Sequence, residues 1–318
     1  MTSPRPDVSV IIASHNRLWA LPKAVESCRH GNCRTEIIVV DDGSTDATWA
    51  WLQAQDDVVS IKTDHWGKCW AVNAGVAASS GEFIRFLDSD DWLLRGANDR
   101  QLEIARATHA DVVVAGYEHH DEVRGRTTDV PWVSCGDFLV DNIHADSFYS
   151  AFLLRRSLAA TIPHREEFPH QDSTFVMELA LARPNVSIAL FSSVAYRSHA
   201  RGHLRDRHGL DAAVAALRTV AMYKKVLTLL NRRGECTDLR KDVLLRALWH
   251  EARQLAEWDM KEARAVVDWI RDQDDRFTPP ASRAVSRLYR LLGFEMTERV
   301  ARLRRTVVRA LKRRRHNP

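Results

Sequence analysis

Cysteine contributes little that could hold this chain together. Cys28, Cys33, Cys69, Cys135 and Cys236 make five, an odd number with no C-x-x-C pair. Neither a disulfide framework nor a zinc ribbon is expected; reduced thiols in the cytoplasm are. Long apolar runs are also missing, since none approaches the roughly 18 residues that a membrane span takes. The opening "MTSPRPDVSVIIASHNR" has no basic segment ahead of a long apolar one. No signal peptide is therefore expected, and the short apolar part reads as a first strand. G-x-x-x-x-G-K-[ST], G-x-G-x-x-G and H-E-x-x-H are all absent, which removes the commonest nucleotide and zinc signatures. Acids are missing from the end of the chain. From Arg299 onward nine Lys and Arg residues stand without one. Outside that tail 37 basic residues face 42 acidic ones, a balance of −5, although the whole chain carries +4. The basicity belongs to the tail, and a nucleic-acid-binding body is not expected.

What is present is ordinary for a globular protein: 45% hydrophobic and 28% charged residues,. At about 150 residues per domain, 318 residues suggest roughly two,. The first part alternates short β-branched runs with helical patterns. Val8–Ala13, Glu36–Val40, Val58–Lys62, Phe83–Leu87 and Asp111–Tyr117 read as strands. Leu18–Cys28, Ala47–Gln55, Lys68–Ala78 and a segment ending near Thr108 read as helices. That alternation predicts an α/β fold, an open and mainly parallel sheet flanked by helices, with ligands beyond the strand C-termini. From about Leu204 the strand signals fade. Leu210–Asn231, Leu239–Glu257, Lys261–Asp272 and a last stretch from Ala281 have helical spacing. The expected division is 1–205 for the α/β domain and 206–318 for a helical region with a basic amphipathic tail.

The stretch "GEFIRFLDSDDWL" delivers Asp88, Asp90 and Asp91 to one strand end. Carboxylates are hard ligands suited to Mg²⁺ or Mn²⁺, which commonly bridge phosphate oxygens. A D-x-D alone is equally a solvated turn in which Asp90 or Asp91 caps the next helix. Asp42 in "VVDDGS" is an acceptor for base N–H donors or an Asx-turn residue beside Gly43. Asp172 opens an apolar helix in "FPHQDSTFVMELALA", where the helix dipole by itself favours an acid,.

"VSVIIASHNR", "EIIVVDDGSTD", "GKCWAVNAGVAASSGEFIRFLDSDD" and "HQDSTF" occur in that order. Together they resemble the family 2 glycosyltransferases, which have the GT-A fold, over Val8 to His199. The resemblance implies that Asp42 bonds the nucleotide base, with Asp41 shaping the turn. It gives Lys68 to a diphosphate or donor ribose, Asp88 to the ribose or a metal-bound water, and Asp90 to the metal directly. Asp91 would orient its neighbours or cap the helix, and Asn73 would tie strand to helix. Asp172 would be the catalytic base, its pKa lifted by partial burial beside Phe168 and Phe175. "VAYRSHARGH" resembles the family's Y-R-x-H segment. It implies His199 at the metal or diphosphate and Arg197 at the phosphates or a carboxylate, with His203 and His208 as nearby competitors. No Q-x-x-R-W follows, so the resemblance is to non-processive members.

The expectation is thus an inverting, metal-dependent glycosyltransferase. It moves a sugar from a nucleotide-diphosphate donor, a UDP-sugar on family frequency, to a hydroxyl of a glycan or lipid-linked acceptor in cell-envelope or surface glycan synthesis. Two other readings stay open: a non-catalytic nucleotide-binding or scaffold module at a membrane, and a sugar nucleotidyltransferase. In "RVARLRRTVVRALKRRRHNP", Val300, Leu303, Val307, Val308 and Leu311 line one helical face opposite arginines. That pattern suits an anionic membrane surface on its cytoplasmic side, or a helix packed on the body.

Overall fold

The computed structural model describes residues 5–144, 148–165, 171–200 and 210–315, without the side chains of 171, 210 and 304–315. Phe168, His203 and His208 lie outside the described residues, as do the side chains of Val307, Val308 and Leu311. The chain divides into two compact units, Met1–His203 and Leu204–Pro318.

The first unit is built on a nine-stranded mixed sheet. Its first half runs β1 (Val8–Ser14), α1 (Leu21–Cys28), β2 (Thr35–Asp42), α2 (Thr48–Gln53), β3 (Val58–Thr63), α3 (Lys68–Ala78) and β4 (Phe83–Asp88). Then come β5 (Trp92–Leu93), α4 (Ala97–Thr108), β6 (Val112–Asp121), β7 (Arg126–Val130), α5 (Phe138–His144) and a 3₁₀ turn at Tyr149–Ala151. The unit closes with β8 (Leu153–Arg155), α6 (Arg156–Ala159), α7 (Gln171–Leu181) and β9 (Val186–Ser198). The strand order is β3-β2-β1-β4-β8-β6-β9-β5, with β7 on β6. β1 to β4, β6 and β9 share one direction, and β5, β7 and β8 oppose it. The mainly parallel sheet holds at the level of strand direction. Two of the short antiparallel strands, β7 and β8, fall in the part of the chain where the sequence carries the weakest signals, and β5 is only two residues long.

β1 sits at the centre of the parallel half and is apolar on both faces, as a covered parallel strand must be,. Its register sets the site. Ser14 pairs with Asp41 of β2, and Ala13 with Asp88 of β4. Acids 47 residues apart in sequence thus end on either side of one strand. α3 lies close on this sheet because Gly75 has no side chain: a Cβ there would fall 2.4 Å from Ile11 Cγ2. Gly75→Ala is therefore expected to destabilise the protein by about 1–3 kcal/mol through overpacking. A urea midpoint equal to that of the wild type would refute this close packing.

The second unit contains α8 (Leu210–Arg233), α9 (Asp238–Leu255), α10 (Met260–Gln273) and α11 (Arg283–Arg315). Thr237 and Asp259 cap α9 and α10 by accepting from backbone amides of their first turns,. The last helical stretch is not continuous as expected. Gly293, at φ 74°, interrupts α11, a left-handed conformation that glycine adopts without steric cost,. No helix among the described residues is long and apolar enough to cross a membrane.

Candidate active site

The carboxylates gather where β1, β2 and β4 end, and one ammonium organises two of them. Lys68, the first residue of α3, places Nζ 2.7 Å from Asp88 Oδ1 and 3.7 Å from Asp172 Oδ1. Burial alone would lower the Lys68 pKa, but Asp172 and Asp88 outweigh it and hold the ammonium well above its usual range,. Lys68 is therefore a fixed positive charge between the D-x-D and Asp172. The Tyr149 ring lies 5.8 Å from the same Nζ. Asp172 is half-buried in the first turn of α7, and Phe175 on that helix is buried as expected.

Asp90 faces the opposite way. Its Oδ2 lies 3.2 Å from His199 Nε2 and 3.7 Å from Arg17 Nε. The His199 ring is steered by Trp19, edge-on at 4.8 Å. Asp91 is buried and accepts from the backbone N–H of Arg197 at 2.8 Å through Oδ1. It neither caps a helix nor reaches solvent. Burial, then the charges of Asp88 and Asp90, push its carboxyl well above the usual carboxylate range,.

The donor set here fits a divalent ion. A carboxylate and an imidazole converge at Asp90 and His199, and the buried Asp91 Oδ2 has no hydrogen-bond partner among the described residues. No group of three or more ligating side chains occurs among the described residues. An ion of the Mg²⁺ or Mn²⁺ kind needs only one or two carboxylates, with phosphate oxygens and water completing its sphere.

Two expected donor residues are more committed to the protein than the sequence suggests. Asp42 is 4% exposed. Its carboxylate accepts from Thr63 Oγ1 at 2.7 Å, Trp66 N at 2.8 Å and Gly67 N at 2.9 Å. A carboxylate offers about four acceptor sites, so little is left for a base. Asp42 holds the turn that delivers Lys68, and His15 and His65 direct their Nδ1 atoms at its backbone oxygen. Arg197 is buried, with its guanidinium near the rings of Trp92 and Trp19, and pairs with Glu122 at 3.2 Å. Asp41 is buried and accepts from Ser44 Oγ, shaping the turn at Gly43. Asn73 exchanges two hydrogen bonds with the backbone of His164, which ties α3 to the segment before α7 rather than to a strand.

The sequence reading missed Tyr149, Arg17 and His164. His164 is buried against Phe175, at 4.4 Å and nearly parallel, and against Phe86. Burial, with a smaller effect from Lys68, lowers its pKa to about 3, so it is neutral. Arg17 follows the quoted "SHN" and had a local signal. Tyr149 and His164 had none, because they reach the site only through the tertiary fold.

The chain is similar to known proteins. The family model described as Glycosyl transferase family 2 matches residues 9–163. The GalNAc(5)-diNAcBac-PP-undecaprenol beta-1,3-glucosyltransferase of Campylobacter jejuni is 31% identical over 188 residues, 55% of this chain and 60% of that protein. The chain thus spans less than two thirds of that relative's length, and 37% of the length of two others. Among solved structures, S. aureus TarS 1–349 in complex with UDP-GlcNAc superposes with a TM-score of 0.56 at 18% identity, over 84% of this chain and 88% of that one. The mannosyltransferase PcManGT from Pyrobaculum calidifontis, in complex with GDP-Man and Mn²⁺, gives 0.57 at 16% identity over 95% and 88%. At such identities the likeness speaks for the GT-A fold alone. The motif order, the strand ends on which the motifs fall and the family match agree in placing residues 9–163 in glycosyl transferase family 2.

Proposed function

We propose that the protein is an inverting glycosyltransferase that moves a sugar from a nucleotide-diphosphate donor, a UDP-sugar, to a hydroxyl of a glycan or lipid-linked acceptor. The observation that carries this reading is Lys68, whose single ammonium spans Asp88 and Asp172. The carboxylate assigned to the donor and the one assigned to the acceptor are thereby neighbours. Asp172 takes the proton from the acceptor hydroxyl as its oxygen attacks the anomeric carbon in line, and the nucleotide leaves from the opposite face. Lys68 screens Asp172 from Asp88 and presents a positive charge to the diphosphate. Asp42 faces the base through its remaining acceptor capacity and keeps the Trp66–Gly67 turn in place. Asp90, with His199, would hold Mn²⁺ or Mg²⁺, and Asp88 would face the ribose or a metal-bound water; the ion, when bound, would neutralise the charge of the leaving diphosphate,. Buried Arg197 acts through β9: its backbone amide fixes Asp91, and His199 follows two residues later.

The undecaprenol-linked acceptor in the name of the Campylobacter jejuni relative supports an envelope-glycan setting. The exposed Leu291, Met296, Val300 and Leu303 on α11, beside the basic tail, support peripheral contact with an anionic membrane,.

Calorimetric titration with UDP, GDP, CDP and dTDP, with and without Mn²⁺, tests the donor reading. UDP is expected to bind in a Mn²⁺-dependent manner, and Asp90→Ala to weaken that binding at least about tenfold, the scale of one lost charge-assisted contact. Folded wild-type protein that binds no nucleotide would point to the scaffold reading. Pyrophosphate release from a nucleoside triphosphate would point to a nucleotidyltransferase.

A further inference from the structure

A cavity of about 340 Å³ lies in the first unit, apart from the carboxylate cluster. Ala115 to Tyr117 of β6 form part of its lining. The chain leaving β7, from Val130 through Trp132 to Cys135, lines another part, and His144 and Phe148 contribute as well. Its shape is built in. β6 bulges at Gly116, where the register against β9 shifts. A Cβ on Gly116 would fall 2.6 Å from the Val130 carbonyl oxygen, so glycine lets the two lining segments meet. Bulges of this kind re-aim side chains next to sites. The carboxylate of Asp141, itself 5% exposed, accepts from Ser134 Oγ and from Cys135 N at 2.7 Å, pinning that part of the lining.

The lining is aromatic with a few polar groups. Tyr117 and Phe148 lie 5.1 Å apart by ring centroid. Trp132 rests against Phe152 at 5.5 Å, and its indole N–H is buried without a hydrogen-bond partner among the described residues. An unmet buried donor is costly, and a hydroxyl in the cavity would relieve it. One lining residue leads along the chain towards the carboxylates. Phe148 immediately precedes Tyr149, whose ring lies 5.8 Å from Lys68 Nζ.

We infer that this cavity is the acceptor's sugar subsite, holding one pyranose ring while an acceptor hydroxyl reaches Asp172. This rests on the glycosyl-transfer reading above. A pyranose has C–H faces for aromatic rings and hydroxyls around its rim, which matches an apolar lining carrying a few donors and acceptors. The volume falls at the small end of ligand pockets, enough for one ring. An extended lipid chain would need a longer trough and would leave the indole N–H unmet.

Saturation-transfer NMR with methyl glucoside, methyl galactoside and methyl N-acetylglucosaminide, and with n-octanol as the apolar probe, tests the assignment. The variant is Val133→Trp, at a residue 77% exposed, so the fold should survive while the cavity fills. UDP calorimetry on the same samples reads the donor site separately. At least one glycoside is expected to bind the wild type and to bind Val133→Trp about tenfold or more weakly, with UDP affinity unchanged. A second variant, Trp132→Phe, keeps the ring and removes the N–H; it is expected to weaken the same glycoside severalfold. No glycoside binding by the wild type, equal binding by Val133→Trp, or binding of octanol alone would overturn the subsite. Glycoside binding without any UDP binding would instead overturn the donor reading and leave the cavity a carbohydrate site.

Discussion

Asp172→Asn is expected to lower kcat by about 10²–10⁴-fold, the range supplied by a positioned general base. Nucleotide affinity should stay within about twofold of the wild type, because a residue acting only in the transition state changes turnover and not donor binding. The substitution keeps the shape of the side chain and removes its charge. Lys68 retains Asp88 at 2.7 Å, so the ammonium should hold its place. Single-turnover transfer, alongside UDP calorimetry on the same protein, separates the two quantities. Turnover at the wild-type rate would remove Asp172 from the role of base. Loss of UDP binding together with turnover would assign it to the donor side.

The second large effect is structural and lies behind the site. Arg85 in β4 is 0% exposed. It donates to Asn98 Oδ1 at 2.8 Å, the Ser150 carbonyl at 3.0 Å, Ser193 Oγ at 3.5 Å, and Gln101 Oε1. No carboxylate pairs with it among the described residues, and burial lowers its pKa to about 10. It is therefore still charged at neutral pH and is stabilised by dipoles alone. Gln101 extends the network to the carbonyls of Val113 and Ala151. One guanidinium thus joins β4, α4, β9 and the turn that carries Tyr149. Arg85→Met would leave the acceptors on Asn98, Gln101 and Ser150 buried and unmet. A loss of about 3 kcal/mol or more in unfolding free energy is expected, because each buried acceptor left unmet costs about 1–3 kcal/mol. Denaturant unfolding monitored by far-UV circular dichroism measures it. A variant as stable as the wild type would show that the network only tolerates the charge.

Arg85 also marks a limit of sequence reading. "FIRFLD" is readable as a strand because its four apolar residues form a nearly continuous run, and the structure agrees. Nothing in the pattern says that the one arginine points into the protein, since its acceptors lie 13, 16, 65 and 108 residues away. The same division runs through the site. β1, β2, α3 and β4 were legible because local periodicity and three of the four motifs coincide there. The approach of Asp90 to His199 spans 109 residues and depends on the pairing of β9, whose exposed Leu190 and Ile188 blur the alternation. The donors that fill the carboxylate of Asp42 are one hydroxyl and two backbone amides around a turn, a role invisible in residue identity. Glu122, the partner of Arg197, lies just beyond β6, in the part of the chain with the fewest readable signals.

β9 has a consequence for how this chain can change length. It pairs with β6 on one edge and β5 on the other, and its amide at Arg197 holds Asp91. His199 follows one residue after the strand ends. A residue gained or lost between Ser192 and Arg197 would turn every following side chain to the other face and carry His199 away from Asp90. The tip of the β6–β7 hairpin is different: Val123 is exposed, and a Cβ on Gly125 would meet nothing within 4 Å. Length can be added there without being felt at the carboxylates. Insertions and deletions should therefore be tolerated at the hairpin tip far better than in β9.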